Sequence, residues 1–382
     1  MKFEHFGGVV AAAGLAFLAG RSLPADRPDA AIEAQADVIV RSALQSHHIP
    51  GICLGVVRDG HLIKATGYGY ANVELRVPVT AASVFQSGSV AKQFTAVAVL
   101  MLVNEGKLGL DDPLTKYYPQ ARATAVGAVT VRQLLTHTSG LPDIFGETDE
   151  TSYSKGILDF RRDYTEEELL AKYLALELDF APGERWNYSN TGYEVLGFLI
   201  HRVTGEFYGD FLRQRIFIPL SMTATRIISE QEIVPNRASG YRIVDGRLEN
   251  QEWIAPSLNT TADGGMYTNL IDLAKWDAAL YGEKLLPRSL LALLWTPVRL
   301  NSGETHPYGF GFELTAVNGH PLYYHTGSNQ GFWISISRYV ADRLTVIVLT
   351  NLDETHSSTL AIAQAVAALY VPALKTAPVA GQ

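Results

Sequence analysis

The spacing of apolar residues along the chain separates strand-forming ends from a helical middle. Short apolar runs bounded by turn residues predict strands, and apolar residues spaced three and four apart predict helices. The predicted strands are 51–57, 62–70, 308–315, 332–339 and 344–350. The predicted helices are 30–46, 89–104, 131–135, 166–176, 190–203, 271–281 and 357–370.

This order of elements predicts an α+β fold with one antiparallel sheet built from both ends of the chain. A hairpin turn at 58–60 joins the first two strands, and the nearly all-apolar run 344–350 is typical of a central strand. The first and last helices are expected to cover the sheet, and the helical region is inserted between its halves. We expect one domain over 26–375, with a sheet part over 26–85 and 298–375 and a helical part over 86–297.

Composition narrows the classes of function. Of the 382 residues, 47% are hydrophobic and 18% are charged, as in an ordinary globular protein. The net charge of -8, with no basic cluster, argues against a nucleic-acid partner. Cys53 is the single cysteine, so no internal disulfide can form, and its apolar neighbours indicate a buried thiol. No His-Glu-x-x-His motif, cysteine–histidine cluster or dinucleotide-binding glycine pattern occurs, so neither a metal nor a cofactor is expected.

The first 25 residues predict a signal peptide. Lys2 precedes an apolar stretch over 7–20, which suits the core of a signal peptide and is too short for a membrane span. Cleavage after Ala25 would start the mature protein near Asp26 and export it to the periplasm or the medium, without a stable membrane span. An uncleaved N-terminal anchor is the alternative. A small-molecule or peptide substrate is the expected partner, and nothing in the sequence indicates an oligomeric state.

The start of the central predicted helix carries an unusual polar pair, Ser89 and Lys92. The two residues are three apart, so their side chains lie on one face of the helix. The following turns are apolar on nearly every side, which leaves little surface for a lysine. Burial and the positive end of the helix would lower the pKa of Lys92, and a neutral lysine can take the proton of a serine hydroxyl. The alternative is a helix-capping serine beside a surface lysine.

Two further polar clusters are candidates for the same cleft. Tyr188 and Asn190 lie where a helix begins, so that a phenol could relay a proton and an amide could hold a carbonyl or orient a lysine. Without other support, a packed tyrosine and a helix cap would explain them better. The stretch from Tyr324 to Phe332 lies just before a predicted strand and suits substrate docking at a sheet edge and an oxyanion donor. A glycine-rich hairpin loop is the alternative.

In chain order, Ser89-x-x-Lys92, Tyr188-x-Asn190 and His325-Thr326-Gly327 resemble the three motifs of the serine β-lactamase and penicillin-binding protein family. The chain looks most like the branch that holds class C β-lactamases, D-alanyl-D-alanine carboxypeptidases, D-aminopeptidases and related esterases. Further stretches that resemble this branch are 134–141, 264–267, 308–312 and 348–351. The resemblance therefore extends over nearly the whole mature chain, and it implies the β-lactamase/transpeptidase-like fold.

The resemblance also implies roles for individual residues. Ser89 would be the nucleophile, and Lys92 would accept its proton. Tyr188 would protonate the leaving group and help to activate the deacylating water, while Asn190 would steady the substrate and Lys92. The backbone N–H groups of Ser89 and Ser328 would form the oxyanion hole.

His325 departs from the class C pattern, which has lysine at this position, and this counts against efficient β-lactam hydrolysis. Together with Thr326, Gly327 and Ser328 it is expected to bind substrate. An unperturbed histidine loses its charge near pH 6.5, so its help in binding a substrate carboxylate should fade between about pH 6 and 8.

The predicted function is that of an exported serine hydrolase that forms an acyl-enzyme. Its expected substrates are D-amino-acid peptides, β-lactam-like amides or small esters. One alternative is a penicillin-binding sensor or scaffold with little turnover. Another is a partner-binding protein with a vestigial cleft.

Overall fold

A computed structural model describes residues 30–145, 158–353 and 359–376. Its helices are α1 Ala30–Ser46, α2 Lys92–Asn104, α3 Val131–Leu135, α4 Glu166–Leu174, α5 Asn190–Thr204, α6 Tyr208–Leu212, α7 Leu270–Ala279, α8 Arg288–Leu294 and α9 Thr359–Tyr370. Its strands are β1 Gly51–Arg58, β2 His61–Asn72, β3 Val77–Pro78, β4 Phe85–Gln86, β5 Arg226–Ile227, β6 Tyr241–Val244, β7 Arg247–Asn250, β8 Met266–Thr268, β9 Val298–Arg299, β10 Thr305–His306, β11 Glu313–Val317, β12 His320–Asn329, β13 Phe332–Tyr339 and β14 Leu344–Thr350.

One antiparallel sheet of seven strands, in the order β11-β12-β13-β14-β1-β2-β3, lies at the centre of the fold. The two halves of the chain meet where β1 pairs with β14 and Ile52 lies opposite Thr350. The β1–β2 hairpin turns at Asp59 and Gly60, whose φ angles of 51° and 78° are those that a tight two-residue hairpin requires. The predicted α+β fold, with a sheet built from both chain ends, is therefore confirmed.

The sheet is covered on both faces, because successive side chains of a strand point to opposite sides. In β14, Val346 and Val348 belong to the core under α1 and α9, whereas Ile347 and Leu349 belong to the core shared with the helical region. This two-sided burial explains why β14 is apolar along most of its length. Cys53 is fully buried in the second core, as its apolar surroundings indicated.

The helical region surrounds α2, whose residues are buried from Lys92 to Leu102. The predicted helix start is a 3-10 turn over Gly88–Ala91 that leads directly into α2. This region also contains short strands that the sequence did not indicate, among them the three-stranded sheet β4-β8-β5 and the β6–β7 hairpin. Strands of two to four residues are too short to leave a readable period in the sequence.

The predicted strand over 308–315 is wrong in its first half, since β11 begins only at Glu313. The break is at Gly311, which has a φ of +73°. A β-carbon at Gly311 would lie 2.8 Å from the main-chain oxygen of Lys92, so the chain passes closely over the start of α2. The alternation of aromatic and glycine residues resembles that of a strand, but it belongs to a turn that packs on the start of α2.

The third motif also differs from its prediction, because it lies inside β12 and not in a loop before a strand. β12 pairs with β13 along its length, whereas its pairing with β11 ends at Tyr324 opposite Glu313. From His325 onward, the other edge of β12 therefore has no strand neighbour among the residues that the structure describes. This open edge faces the 3-10 turn that carries Ser89.

The predicted signal peptide over 1–25 and the first two residues of the predicted last helix, 357–358, lie outside the described residues. Within the described ranges, no helix has both the length and the apolar character that crossing a bilayer requires.

Candidate active site

Ser89 lies on the 3-10 turn, directly beneath the open edge of β12. Two glycines allow this approach of turn and strand. A β-carbon at Gly88 would lie 2.6 Å from the nitrogen of Ser328, and one at Gly327 would lie 2.1 Å from the oxygen of Ser87. Gly88 also has a φ of +48°, a conformation that favours glycine. Within this buried turn, the side chain of Ser89 keeps partial exposure to the cleft.

Lys92 lies under the cleft floor with no exposed surface. Its Nζ donates to Ser89 Oγ at 3.0 Å, to Asn190 Oδ1 at 2.6 Å and to the main-chain oxygen of Asp263 at 2.8 Å. Three acceptors match the three N–H bonds of an ammonium group, so the geometry aims the lysine at the serine oxygen.

Burial is the main influence on the protonation of Lys92 and lowers its pKa to about 8. The carboxylates of Asp263, Asp143 and Glu194 oppose this effect, because a nearby negative charge favours the ammonium form. The lysine is therefore close to the balance between charged and neutral forms near neutral pH, as a general base must be.

Asn190 is oriented by a carboxylate that the sequence did not reveal. Its Nδ2 donates to both oxygens of Asp143, at 3.2 and 3.0 Å, which turns its Oδ1 toward Lys92. The alternative role of Asn190 as a helix cap is wrong, because the side chain of Ser189 caps α5 by accepting from the N–H of Gly192. The amide is thus available to the site.

The ring of Tyr188 lies close to both Lys92 and His137. Lys92 Nζ is 4.9 Å from the centre of its ring, and the ring of His137 lies 4.2 Å away on the other side. Burial raises the pKa of Tyr188 well above its usual value of 10, and the neighbouring hydroxyl of Ser89 offsets this only in part. The Tyr188 hydroxyl is buried and makes no well-formed hydrogen bond to any described residue. It is therefore a neutral phenol whose proton is not committed elsewhere.

A chain of hydrogen bonds links the second and third motifs through two histidines. The N–H of Ser189 donates to His137 Nδ1 at 3.1 Å, so the ring proton of His137 is on Nε2 and is donated to Tyr308 Oη at 3.1 Å. Tyr308 then donates to His325 Nε2 at 3.1 Å, and His325 Nδ1 donates to the oxygen of Thr326 at 2.5 Å. Every donor meets an acceptor when both imidazoles are neutral.

The predicted titration of His325 near pH 6.5 is wrong. The side chain is 2% exposed, and burial lowers its pKa to about 3. Burial likewise lowers the pKa of His137 well below its usual value of 6.5. His325 therefore presents no positive charge to a substrate carboxylate at neutral pH, although it lines the cleft.

The cleft between the helical region and β12 has a volume of about 560 Å³. Seven of the eight predicted site residues line it, and Lys92 lies directly below. The seven are Ser89, Tyr188, Asn190, His325, Thr326, Gly327 and Ser328. The structure thus brings together residues that are separated by up to 239 positions, while their individual roles stay predictions.

Four supporting side chains escaped the sequence reasoning. His137 and Tyr308 lie in stretches that carried the family resemblance, which was the available signal. Asp143 and Asp263 gave no signal in the sequence, because their contacts with Asn190 and Lys92 join residues that are far apart in the chain. Among the described residues, no group of three histidine, cysteine or acidic side chains is arranged to hold a metal ion.

The chain is similar to known proteins over most of its length. The Beta-lactamase family model matches residues 36–370. Penicillin-binding protein 4* of Bacillus subtilis (strain 168) is 30% identical over 328 residues, which cover 81% of this chain and 70% of that protein. Protein flp of Staphylococcus aureus (strain COL) is 29% identical over 331 residues, which cover 84% of this chain. The match spans 64% of the length of flp, so this chain corresponds to less than two thirds of that relative.

Solved structures show the same fold. The octameric penicillin-binding protein homologue from Pyrococcus abyssi superposes with a TM-score of 0.76 at 30% identity, covering 89% of this chain and 77% of that one. The penicillin-binding protein from Bacillus halodurans superposes with a TM-score of 0.72 at 26% identity, covering 86% and 98%. Since the family model and both structures extend over most of the chain, the protein belongs to the β-lactamase family, which unites serine β-lactamases and penicillin-binding proteins.

Proposed function

We propose that the protein is a serine hydrolase that forms an acyl-enzyme on Ser89. The observation that carries the proposal is the buried Lys92, whose Nζ lies 3.0 Å from Ser89 Oγ. With its pKa lowered to about 8, about a tenth of this lysine is neutral at pH 7, against roughly 0.03% for a lysine of ordinary pKa. A neutral amine at this distance can take the serine proton as the oxygen attacks.

In the proposed acylation, Ser89 Oγ attacks the substrate carbonyl carbon while its proton moves to Lys92. In this proposal the N–H groups of Ser89 and Ser328 donate to the carbonyl oxygen as it becomes negative, which lowers the barrier. Tyr188 protonates the leaving group and regains a proton from Lys92, so no net charge accumulates. Water then attacks the carbonyl carbon of the acyl-enzyme and gives a proton to neutral Lys92, directly or through the Tyr188 hydroxyl. A proton returns from Lys92 to Ser89 Oγ as the acyl group leaves.

We propose D-amino-acid peptides, β-lactam-like amides and small esters as substrates. The open edge of β12 can receive an extended peptide as an added strand, with main-chain hydrogen bonds supplying affinity. A cleft of about 560 Å³ suits a small ligand of this kind. Two of the similar proteins are named for penicillin binding, which favours a cyclic amide or a peptide as the acyl donor. Export through the N-terminal segment is part of the same proposal.

The decisive experiment compares Ser89→Ala with the unaltered protein in covalent labelling by a fluorescent penicillin and by an aryl phosphonate. We expect labelling to disappear, because Ser89 is the proposed nucleophile. Ser302→Ala, at an exposed turn, is the matched control and should label normally. Labelling that persists in Ser89→Ala, or that peptide mapping assigns to another serine, would contradict the proposal.

A burst assay on the same protein distinguishes an enzyme that turns over its substrate from a penicillin-binding sensor. With deacylation slower than acylation, an aryl ester should give a burst of phenol equal to the enzyme concentration, followed by steady release. A burst with no steady release would instead favour a penicillin-binding sensor.

A further inference from the structure

A second cavity, of about 80 Å³, lies behind the active site, between α4, α5 and the start of α6. Thr261 lines both this cavity and the cleft, and two residues later the main-chain oxygen of Asp263 holds Lys92. The residues that line this back cavity include Glu166, Glu194, Phe198, Phe207, Tyr208 and Ser257. The proposed hydrolysis makes no use of it.

Glu194 brings an unsatisfied carboxyl oxygen to the back cavity. The residue lies on α5, one helical turn after Asn190, and it is 1% exposed. Its Oε2 accepts from Tyr173 Oη at 2.6 Å, and Tyr173 is not part of the cavity lining. Its Oε1 is buried and has no hydrogen-bond partner among the described residues. A buried carboxylate oxygen without a donor is costly, so a ligand that brings an N–H donor would be stabilised here.

The ionised form of Glu194 also needs more positive charge than its surroundings supply. Burial raises the pKa of Glu194 well above its usual value of 4.5, and the negative charges of Asp263 and Asp143 raise it further. The hydrogen bond from Tyr173 and the charge of Lys92 oppose this rise only in part. A cation in the back cavity would favour the carboxylate form, because opposite charges at short range stabilise each other.

The described lining carries no lysine or arginine that could serve as this cation. Its second acidic residue, Glu166, has its Oε2 2.8 Å from His201 Nδ1. Arg162 and Lys172 lie over the ring of Tyr164, at 4.8 and 5.8 Å from its centre, but neither belongs to the lining. The formal charges within the described lining are therefore negative.

The remaining walls suit an organic cation. Phe198, Phe207 and Tyr208 are aromatic, and the rings of Phe207 and Tyr208 lie 4.9 Å apart at an angle of 70°. Aromatic faces attract ammonium and guanidinium groups. Ser257 Oγ and Thr260 Oγ1 add further acceptors, because a hydroxyl oxygen can accept two hydrogen bonds. The cavity thus combines a carboxyl group, aromatic surface and hydroxyl oxygens.

We infer that the back cavity is a binding site for a small organic cation that carries N–H donors, either a primary ammonium or a guanidinium group. Glu194 accepts the N–H bonds through Oε1, and the aromatic walls contact the rest of the head group. A water molecule needs about 10–15 Å³, so the volume admits a head group of about five non-hydrogen atoms. The site is separate from the Ser89 cleft and does not depend on the proposed hydrolysis.

The test measures binding of methylguanidinium and ethylammonium by saturation-transfer NMR of their alkyl protons, at constant ionic strength. We expect saturable binding with a dissociation constant of roughly a millimolar, which ligands of this size can reach. Tetramethylammonium is the matched control ligand, because it has the same charge and no N–H donor. It should bind about tenfold more weakly or worse.

Three variants locate the site. Glu194→Gln keeps the size of the side chain and an acceptor for Tyr173, but it removes the charge and should weaken binding by about tenfold or more. Phe207→Ala removes one aromatic wall at a residue that is 39% exposed, and it should weaken binding severalfold. Glu206→Gln removes a charge from an exposed position outside the lining and should leave the affinity unchanged. Circular dichroism confirms that each variant is folded.

The inference is overturned if neither ligand binds saturably, if tetramethylammonium binds equally well, or if Glu194→Gln leaves the affinity unchanged. If Glu194→Gln does not fold, Phe207→Ala decides, and an unchanged affinity in that variant overturns the inference. Phosphonate labelling of Ser89 on the same samples keeps the two proposals apart. Labelling without cation binding removes this inference alone, whereas cation binding without labelling removes the proposed function alone.

Discussion

Raising the pH from 6 to 9 should increase the rate of Ser89 acylation about ninetyfold. The proposed base is Lys92, which can accept a proton only in its neutral form. Burial lowers its pKa to about 8, so the neutral fraction is about 1% at pH 6, about 9% at pH 7 and about 91% at pH 9. The rate should therefore rise with a slope of one on logarithmic axes and level off above pH 8.

The size of the effect follows from the burial of the lysine. An ordinary lysine has a pKa of 10.5, and at pH 7 it would be neutral about 300 times less often than one with a pKa of 8. The structure achieves this by removing Lys92 entirely from solvent. The surrounding carboxylates limit the shift, since they stabilise the charged form.

A burst assay with a neutral aryl ester measures the predicted profile. The ester has no titrating group, so the pH dependence reports the protein. Spontaneous ester hydrolysis at high pH is subtracted with Ser89→Ala as the blank. Circular dichroism at each pH confirms that the fold is retained.

Lys92→Arg is the matched control, because arginine keeps the positive charge and does not deprotonate in proteins. Acylation should fall by about 10²–10⁴, the usual contribution of a general base, and its rise between pH 6 and 9 should disappear. A flat profile in the unaltered protein, or a normal rate in Lys92→Arg, would refute Lys92 as the base.

Three further substitutions test the supporting structure. Asp143→Asn should lower the plateau rate of acylation, because the amide of Asn190 loses the carboxylate that orients it. It should also move the midpoint of the pH profile to lower pH, because a negative charge that stabilises protonated Lys92 is gone. Tyr308→Phe removes the hydroxyl between the two buried imidazoles and should lower the free energy of unfolding by about 1–3 kcal/mol in urea titrations; unchanged stability would contradict the assigned hydrogen-bond chain. Gly327→Ala would place a β-carbon 2.1 Å from the oxygen of Ser87, so penicillin labelling should be lost, and normal labelling would show that strand and turn can separate freely.

Local patterns were sufficient for most of the fold. The nearly all-apolar run of β14 indicates burial, and the Asp59-Gly60 turn indicates a hairpin backbone. The sheet from both chain ends was therefore predicted correctly. The predicted helices lie within two or three residues of observed ones, since an apolar stripe of helical period requires only neighbouring residues, but α6 and α8 were not predicted. The prediction failed at Tyr308, where alternating aromatic and glycine residues resembled a strand, and for strands too short to show a period. It also missed the longer strand β12.

The candidate site was found from three short motifs, but their chemistry depended on packing. Ser89 and Lys92 are three residues apart, so the sequence alone placed them on one face of a helix. The sequence could not show that Asp143 turns the amide of Asn190, because that contact joins residues 47 positions apart. It also could not show whether a histidine in the third motif is charged.

What the sequence determined by itself is most of the longer elements and the Ser89–Lys92 pair of the proposed reaction, because both depend on residues within a few turns of one another. Tertiary structure decided the protonation states, since these depend on how much solvent reaches each group. Burial brings Lys92 toward neutrality, whereas the same burial, with both ring nitrogens hydrogen-bonded, keeps His325 neutral and removes it as a carboxylate ligand. The desolvation of a side chain depends on every element packed around it, and a local sequence pattern does not show that total burial.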